Sequence, residues 1–151
     1  MYGDKGQVPE NEYLIPISEA HVVKEGNDVT LVSFGKMMKL ANQVATEVGK
    51  EGISVEVIDL RTVRPIDYQK VVDSVKKTNR LVIVEETWPL GSITTEVAFH
   101  IQKHAFDYLD APVTRVSSMD VPLPYAPTLI EEILPSPKRT IDAINAVMYR
   151  N

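Results

Sequence analysis

The sequence predicts an α/β domain of three layers, α/β/α, with helices on both faces of a five-stranded, mostly parallel sheet. Short apolar runs rich in β-branched residues alternate with segments in which apolar residues recur at helical spacing. Glycines, prolines and polar residues separate the two kinds of segment, as is typical of repeated βα units. A turn signal at Gly26-Asn27 between the first two strand candidates predicts a hairpin, so we expect one strand to be antiparallel.

The apolar runs predict the strands, and the segments between and after them predict the helices. The strand candidates cover residues 21–24, 29–34, 81–86, 112–116 and the run that begins at residue 55. Apolar residues at helical spacing indicate helices near residues 37–48, 68–75, 93–105 and 137–148. The run at residue 55 contains Val55, Val57 and Ile58. Such near-continuous apolar strands are typical of a parallel sheet that is buried on both faces.

Polar side chains indicate where several helices begin. Asp67 and Ser136 precede helical segments, and their side-chain oxygens can accept hydrogen bonds from N–H groups of the first turn. Pro137 suits the first position of the last helix because it needs no N–H there. Thr128 with Glu131 predicts a capping box for a short helix after a proline-rich segment.

Composition limits the classes of function. The chain has 151 residues, 44% of them hydrophobic, which fits one domain with one core. A net charge of −5 argues against nucleic-acid binding and suits a basic partner. The absence of cysteine excludes disulfides, thiolate nucleophiles and cysteine-ligated metals. No apolar run approaches the length of a membrane span, so we expect no membrane partner and a cytoplasmic location.

The loop after the third strand candidate carries Arg61 and Arg64. Arginines at the carboxyl end of a buried strand can bind an anionic ligand, and they can equally pair with carboxylates across a subunit contact. The second interpretation is favoured because ion-pair networks are common at such positions. Trp88 follows another strand and is interpreted in the same way, as an interface anchor rather than a substrate platform.

The residues point to no catalytic, cofactor-binding or metal-binding site. The chain contains neither a GxGxxG nor a GxxxxGK[ST] motif for phosphate groups. His100, His104 and Asp107 have a spacing that could hold a metal on one helix face, but an exposed polar face is the favoured interpretation. Glu85 and Glu86 are adjacent on a strand, so their side chains point to opposite faces and make a poor acid/base pair.

Several segments together resemble the β subunit of the decarboxylating component of pyruvate dehydrogenase. They occur in the order of that family across nearly the whole chain, at residues 8–9, 13–17, 25–30, 57–65, 77–79, 85–89, 106–112 and 120–126. The resemblance covers only the carboxyl-terminal half of that subunit, a transketolase C-terminal-like domain. It implies that residues 17–151 form this domain and that residues 1–16 are a linker arm from a missing amino-terminal half.

The resemblance implies that the whole enzyme decarboxylates pyruvate on thiamine diphosphate with Mg and acetylates the lipoyl group of the acyltransferase. In that family the cofactor lies between the α subunit and the amino-terminal domain of the β subunit. We therefore expect this domain to bind no cofactor, to have no catalytic residue and to be inactive alone. The expected partners are a second β subunit, the α subunit and the subunit-binding domain of dihydrolipoyl acetyltransferase.

The resemblance also assigns docking residues. In the family an acidic residue of a Leu-Asp-Ala-Pro motif, matching Asp110, and the terminal carboxylate, matching Asn151, face a small basic domain. The chain differs from its relatives at Ser92-Ile93-Thr94, where they often have Gly-Val-Gly, and in its polar last residue. The alternative hypothesis is an independent regulatory domain that binds an anion or small ligand through Arg61 and Arg64.

Overall fold

The computed structural model describes residues 5–150. The strands are β1 His21–Lys24, β2 Val29–Ser33, β3 Val55–Asp59, β4 Leu81–Val84 and β5 Thr114–Val116. The helices are α1 Met37–Gly49, α2 Tyr68–Thr78, α3 Ile93–His104, α4 Pro127–Ile133 and α5 Pro137–Val147, with a 3₁₀ turn at Phe106–Tyr108. Residues 5–17 are exposed, and residues 5–16 contain no helix or strand.

The strands form one sheet in the order β1-β3-β2-β4-β5. β2 pairs in parallel with β3 and β4, and β4 pairs in parallel with β5. β1 is antiparallel to β3 at the edge. The predicted sheet, mostly parallel with one antiparallel strand, is therefore confirmed. All five residues of the central β2 are buried, as expected for a strand covered on both faces.

Two hydrophobic layers lie on opposite faces of the sheet and confirm the α/β/α architecture. On one face, Leu31 of β2 packs in a cluster with residues of α1 and α5. On the other face, the next residue, Val32, packs in a cluster with residues of α2 and α3. Adjacent strand residues thus serve different layers, as the alternation of side chains along a strand requires. Burial of each such aliphatic side chain contributes about 1.5–3 kcal/mol.

The predicted hairpin between the first two strands is wrong. β1 pairs with β3, so the two strands joined by the turn are not neighbours in the sheet. Gly26 lies so close to the backbone of Val55 and Glu56 that an added Cβ would overlap it. Asn27 and Asp28 both donate their N–H groups to the carbonyl of Ser54. The turn therefore carries the chain past the start of β3 to the far side of that strand.

The helix starts agree with the sequence in two places and differ in one. Asp67 accepts a hydrogen bond from the N–H of Lys70 at the start of α2, and Ser136 accepts one from the N–H of Arg139 at the start of α5. The capping box of the short helix is wrong. α4 begins at Pro127, so Thr128 lies inside its first turn, and the residue at the cap, Ala126, makes no side-chain hydrogen bond.

Candidate docking site

Asp110 lies at the end of the sheet where the parallel strands begin. It follows the 3₁₀ turn and precedes β5 by a few residues. Its N–H donates to the carbonyl of Asn79 at 2.8 Å, and Asn79 Nδ2 donates to the carbonyl of Tyr108 at 2.8 Å. Asn79 can take this place because it ends α2 in the left-handed conformation, φ 61°. The loop is fixed by its backbone while the Asp110 side chain stays 55% exposed.

Arg80 forms an ion pair with the Asp110 carboxylate. Its Nη2 lies 3.2 Å from Asp110 Oδ2. Its Nε donates to the carbonyl of Val147 at 3.0 Å, and its Nη1 donates to the carbonyl of Asp28 at 3.4 Å. The guanidinium therefore joins the loop before β2, the loop before β5 and the end of α5. A planar group with five donors is suited to such a junction.

The end of α5 contacts Asp110 directly as well. The hydroxyl of Tyr149 donates to the Asp110 carbonyl at 2.8 Å. Tyr149 has a φ of 54°, and its N–H donates to the carbonyl of Ala146, so the chain turns immediately after the helix. The predicted docking role of Asn151 falls outside the described residues. The structure nevertheless brings Tyr149, two positions earlier, to the same loop as Asp110.

A groove lies beside the Asp110 carboxylate. It has a volume of about 590 Å³ and is mainly apolar, lined by Ala98, Gln102, Phe106, Leu109, Asp110, Ala111, Pro112 and Val113. Phe106 is 59% exposed within it. A half-exposed carboxylate at the margin of an apolar groove can receive a cation and the apolar stem or neighbour that comes with it.

The structure does not bring Arg61 and Arg64 into one site. Arg61 lies in a surface cavity that also contains Asp59, and its N–H donates to Asp59 Oδ1 at 2.9 Å. Arg64 lies in a different cavity, beside Tyr68 and Glu96. Each arginine thus shares its surroundings with a carboxylate, which weakens the attraction of either cavity for an anion.

Trp88 lies on an exposed apolar surface at the opposite end of the sheet, where the parallel strands finish, shortly after β4. It is 55% exposed, and its indole N–H donates to the carbonyl of Val121 at 3.0 Å. A cavity of about 310 Å³ lies there, lined by Glu86, Thr87, Trp88, Ser118, Leu123, Ile133 and Leu134. Leu90 is also exposed, as are Val121, Tyr125 and Leu129 in the segment whose Val121 carbonyl accepts the Trp88 hydrogen bond. The role of Trp88 as an interface anchor stays a prediction.

His100 and His104 form an aromatic stack with Tyr68 of α2. The Tyr68 and His100 rings are 4.1 Å apart, and the His100 and His104 rings are 4.3 Å apart. Burial lowers the pKa of His100, and the neighbouring His104 and Lys103 lower it further. Among residues 5–150, no group of three or more His, Asp or Glu side chains could hold a metal ion, and Asp107 joins no such group.

Glu85 and Glu86 follow β4, which ends at Val84, so strand alternation does not apply to them, and they differ in burial and in partners. Glu85 is buried, and its Oε1 accepts from the hydroxyl of Thr94 at 2.5 Å while its Oε2 accepts from the Thr94 N–H at 3.3 Å. Glu86 is exposed and pairs with Lys36 at 3.5 Å. The buried carboxylate is thereby bound to the first turn of α3, where the helix dipole favours a negative charge.

Sequence reasoning missed two residues of the site, Arg80 and Tyr149. Both act through contacts with residues distant in sequence, so no local spacing indicates them. The one signal was the position of Arg80, directly before the entirely apolar strand β4. A charged residue next to a buried strand needs polar partners at that end of the sheet, and the structure supplies Asp110 and two carbonyl groups.

No helix among residues 5–150 combines the length and the apolar character that a membrane crossing requires. This finding concerns the described helices alone.

The family model described as "Transketolase, C-terminal domain" matches residues 18–140. The chain is 46% identical, over 99% of its length, to the pyruvate dehydrogenase E1 component subunit β of Rhizobium meliloti, and covers 33% of that protein. It is 40% identical, over 93% of its length, to the β subunit of acetoin:2,6-dichlorophenolindophenol oxidoreductase of Bacillus subtilis, and covers 41% of it. The chain thus spans less than half the length of these relatives.

A solved structure titled "Split gene transketolase, inactive beta4 tetramer" is similar to the fold. The TM-score is 0.80 with 26% sequence identity, and the match covers 95% of this chain and 46% of that one. The sheet order, the α/β/α layers and the family match agree with one another. The chain therefore belongs to the transketolase C-terminal domain family.

Proposed function

We propose that this chain is the carboxyl-terminal assembly and docking domain of the β subunit of a thiamine-diphosphate-dependent pyruvate dehydrogenase. Support comes from the 46% identity, over nearly the whole chain, to proteins named pyruvate dehydrogenase E1 component subunit β. We propose pyruvate as the substrate because several relatives named pyruvate dehydrogenase are 40–46% identical, whereas the acetoin oxidoreductase subunit is at the lower end of that range, 40%.

The observation that carries the docking role is the setting of Asp110. Its backbone is fixed by hydrogen bonds to Asn79 and Tyr149, its carboxylate is half exposed, and an apolar groove lies beside it. A carboxylate held in a fixed position loses little freedom when a partner's Lys or Arg binds. Such a contact sets the register of the partner and raises the rate of encounter.

The proposed partner at this surface is the small basic subunit-binding domain of dihydrolipoyl acetyltransferase. The net charge of −5 is complementary to a basic domain. A second β subunit and the α subunit complete the proposed assembly. In this proposal the other subunits bind the exposed apolar surface around Trp88, at the carboxyl ends of the parallel strands. The surface around Asp110, at the amino ends of those strands, then stays available for the acetyltransferase.

In this proposal the chemistry belongs to other parts of the enzyme. The complete enzyme decarboxylates pyruvate and acetylates a lipoyl group, and thiamine diphosphate with Mg supplies the carbanion chemistry when bound. The residues of this chain hold the assembly together and position it on the acyltransferase. The buried carboxylates Glu56 and Glu85 support that structural role, since each is bound to a neighbouring helix of the domain.

The alternative, a regulatory domain that binds an anion, has less support. It requires Arg61 and Arg64 to act on one ligand, and they line separate cavities that each contain a carboxylate. Titration with inorganic phosphate and with pyruvate tests it directly. Saturable binding that is lost in both Arg61→Ala and Arg64→Ala would replace the docking proposal with this one.

Calorimetric titration with the subunit-binding domain of the acetyltransferase from the same organism tests the docking role. We expect salt-sensitive binding that Asp110→Asn weakens by about tenfold. Asp120→Asn is the matched control because it removes the same charge from an exposed position at the other end of the sheet, beyond the carboxyl end of β5. Equal losses in both variants would mean that only net charge matters, and no binding by the folded chain would contradict the proposal.

A further inference from the structure

We infer that Arg80 is a positioning residue that joins the Asp110 loop and the end of α5 into a single docking surface. This inference rests on the proposed docking function. It adds a residue that neither the family likeness nor the sequence motifs indicate. Its basis is a junction of three chain segments on one guanidinium group.

Arginine suits this junction. Nε and Nη1 of Arg80 donate to the carbonyls of Val147 and Asp28, and Nη2 lies 3.2 Å from the carboxylate of Asp110. A planar guanidinium can serve all three contacts at once, whereas a lysine ammonium is a single point charge on a flexible stem. The side chain is only 23% exposed, so competition from water is reduced.

The contact with Arg80 leaves part of the Asp110 carboxylate available. Arg80 Nη2 contacts Oδ2, and no other residue of the described range 5–150 forms a hydrogen bond or ion pair with the Asp110 carboxylate. With the carboxylate 55% exposed, Oδ1 can accept from a cation of the partner while Oδ2 stays with Arg80. Arg80 therefore orients the docking carboxylate and does not block it.

The second half of the junction concerns the end of α5. Arg80 binds the last carbonyl of that helix, at Val147, and the Tyr149 hydroxyl binds the Asp110 carbonyl at 2.8 Å. The end of α5 is thus linked to the loop before β5 in two ways, through Arg80 and through the direct hydrogen bond of Tyr149. Tyr149 is held beside Asp110 as long as these contacts persist, so Arg80 helps to present the Asp110 loop and the end of α5 in one register.

A double-mutant cycle on docking separates this role from simple stabilisation. We expect Arg80→Met to weaken binding of the acetyltransferase subunit-binding domain by about tenfold in the wild-type background and by less than about twofold in the Asp110→Asn background. Arg80→Lys is expected to rescue only part of the loss, since charge without the planar fork is insufficient. Stronger binding by Arg80→Met would show that Arg80 competes with the partner, and equal losses in both backgrounds would show that it does not act through Asp110.

Arg139 supplies a matched control. It is also part-buried and donates to three carbonyls, those of Ile133, Leu134 and Ser117, but at the opposite end of the sheet, where the parallel strands finish. Arg139→Met removes the same charge and the same kind of contacts. Unchanged docking in this variant is expected, and a loss as large as that of Arg80→Met would overturn the assignment.

Amide hydrogen exchange tests the junction without any partner. We expect Arg80→Met to accelerate exchange together at Asp110, whose N–H donates to Asn79, and at Met148, Tyr149 and Arg150. Coupled acceleration with no docking by the wild type would contradict the proposed function while establishing the junction. Unchanged exchange in either segment would overturn the inference about Arg80, whatever the docking result.

Discussion

The ammonium group of Lys77 on α2 forms an ion pair with the carboxylate of Glu56 on β3, a side chain that is only 3% exposed. The same ammonium contacts Glu25 at 2.9 Å, and Glu56 Oε2 also lies 3.5 Å from the N–H of Gly26. The contacts join a helix, a central strand and the turn that carries the chain past that strand. A charge so deeply buried depends on its partner, because an unpaired carboxylate is costly to bury.

Replacing Lys77 with methionine is expected to lower the free energy of unfolding by about 1–3 kcal/mol, because Glu56 then keeps only a weak hydrogen bond. Urea denaturation measures the change. Lys138→Met is the control, since Lys138 pairs with Asp142 on the exposed face of α5, and a change below about 0.5 kcal/mol is expected there. Equal effects in the two variants would contradict a special role for the buried pair.

The same pair predicts a loss of stability at alkaline pH. The hydrogen bond to Glu56 raises the pKa of Lys77 above its usual 10.5. A raised pKa in the folded state contributes stability that is fully present below 10.5 and is lost as pH rises through the folded value. Denaturation midpoints measured across this alkaline range should fall more steeply in the wild type than in Lys77→Met. Parallel curves would contradict the linkage.

The stack of Tyr68 and His100 predicts a second pH dependence, on the acid side. Burial lowers the pKa of His100 below 6.5, so the folded chain binds this proton less readily than the unfolded chain does. Stability from this group is present above 6.5 and declines as pH falls from there to the folded value. Stability curves for wild type and His100→Gln measure the effect, which His104→Gln should reduce in part. A decline of equal size in His100→Gln would exclude His100 as its source.

The hydroxyl of Thr94 is expected to matter for stability because it donates to buried Glu85. Thr94→Val keeps the shape and removes the donor, and we expect a loss of about 1–3 kcal/mol in thermal or urea unfolding. The exposed neighbour serves as control, with Thr95→Val expected to change stability by less than about 0.5 kcal/mol. A neutral Thr94→Val would show that the backbone N–H alone satisfies the carboxylate.

The sequence predicted the layers of the fold because alternation of strand and helix patterns is local information. The error at β1 has a physical reason. The turn at Gly26 is a local signal, but which strand β1 joins depends on packing across the whole sheet. β2 is buried along its full length between two parallel neighbours, which leaves the more exposed β1 for the edge. Pairing of this kind cannot be read from turn residues alone.

The candidate site was predictable only in part. Asp110 was indicated through the resemblance of its motif, and no spacing rule would have selected it. Arg80 and Tyr149 lie 30 and 39 residues away from Asp110 in sequence, and only the fold brings them together. Arg61 and Arg64 show the opposite case. They are close in sequence, yet the turn after β3 places them in different cavities.

The measurement that tests the docking account most directly is a hydrogen-exchange footprint of the chain with and without the acetyltransferase subunit-binding domain. We expect protection confined to the Asp110 loop, the adjoining part of α3 that lines the groove and the end of α5. The segment around Trp88, at the carboxyl ends of the parallel strands, should exchange equally in both samples. Protection around Trp88 with none at Asp110 would contradict the account.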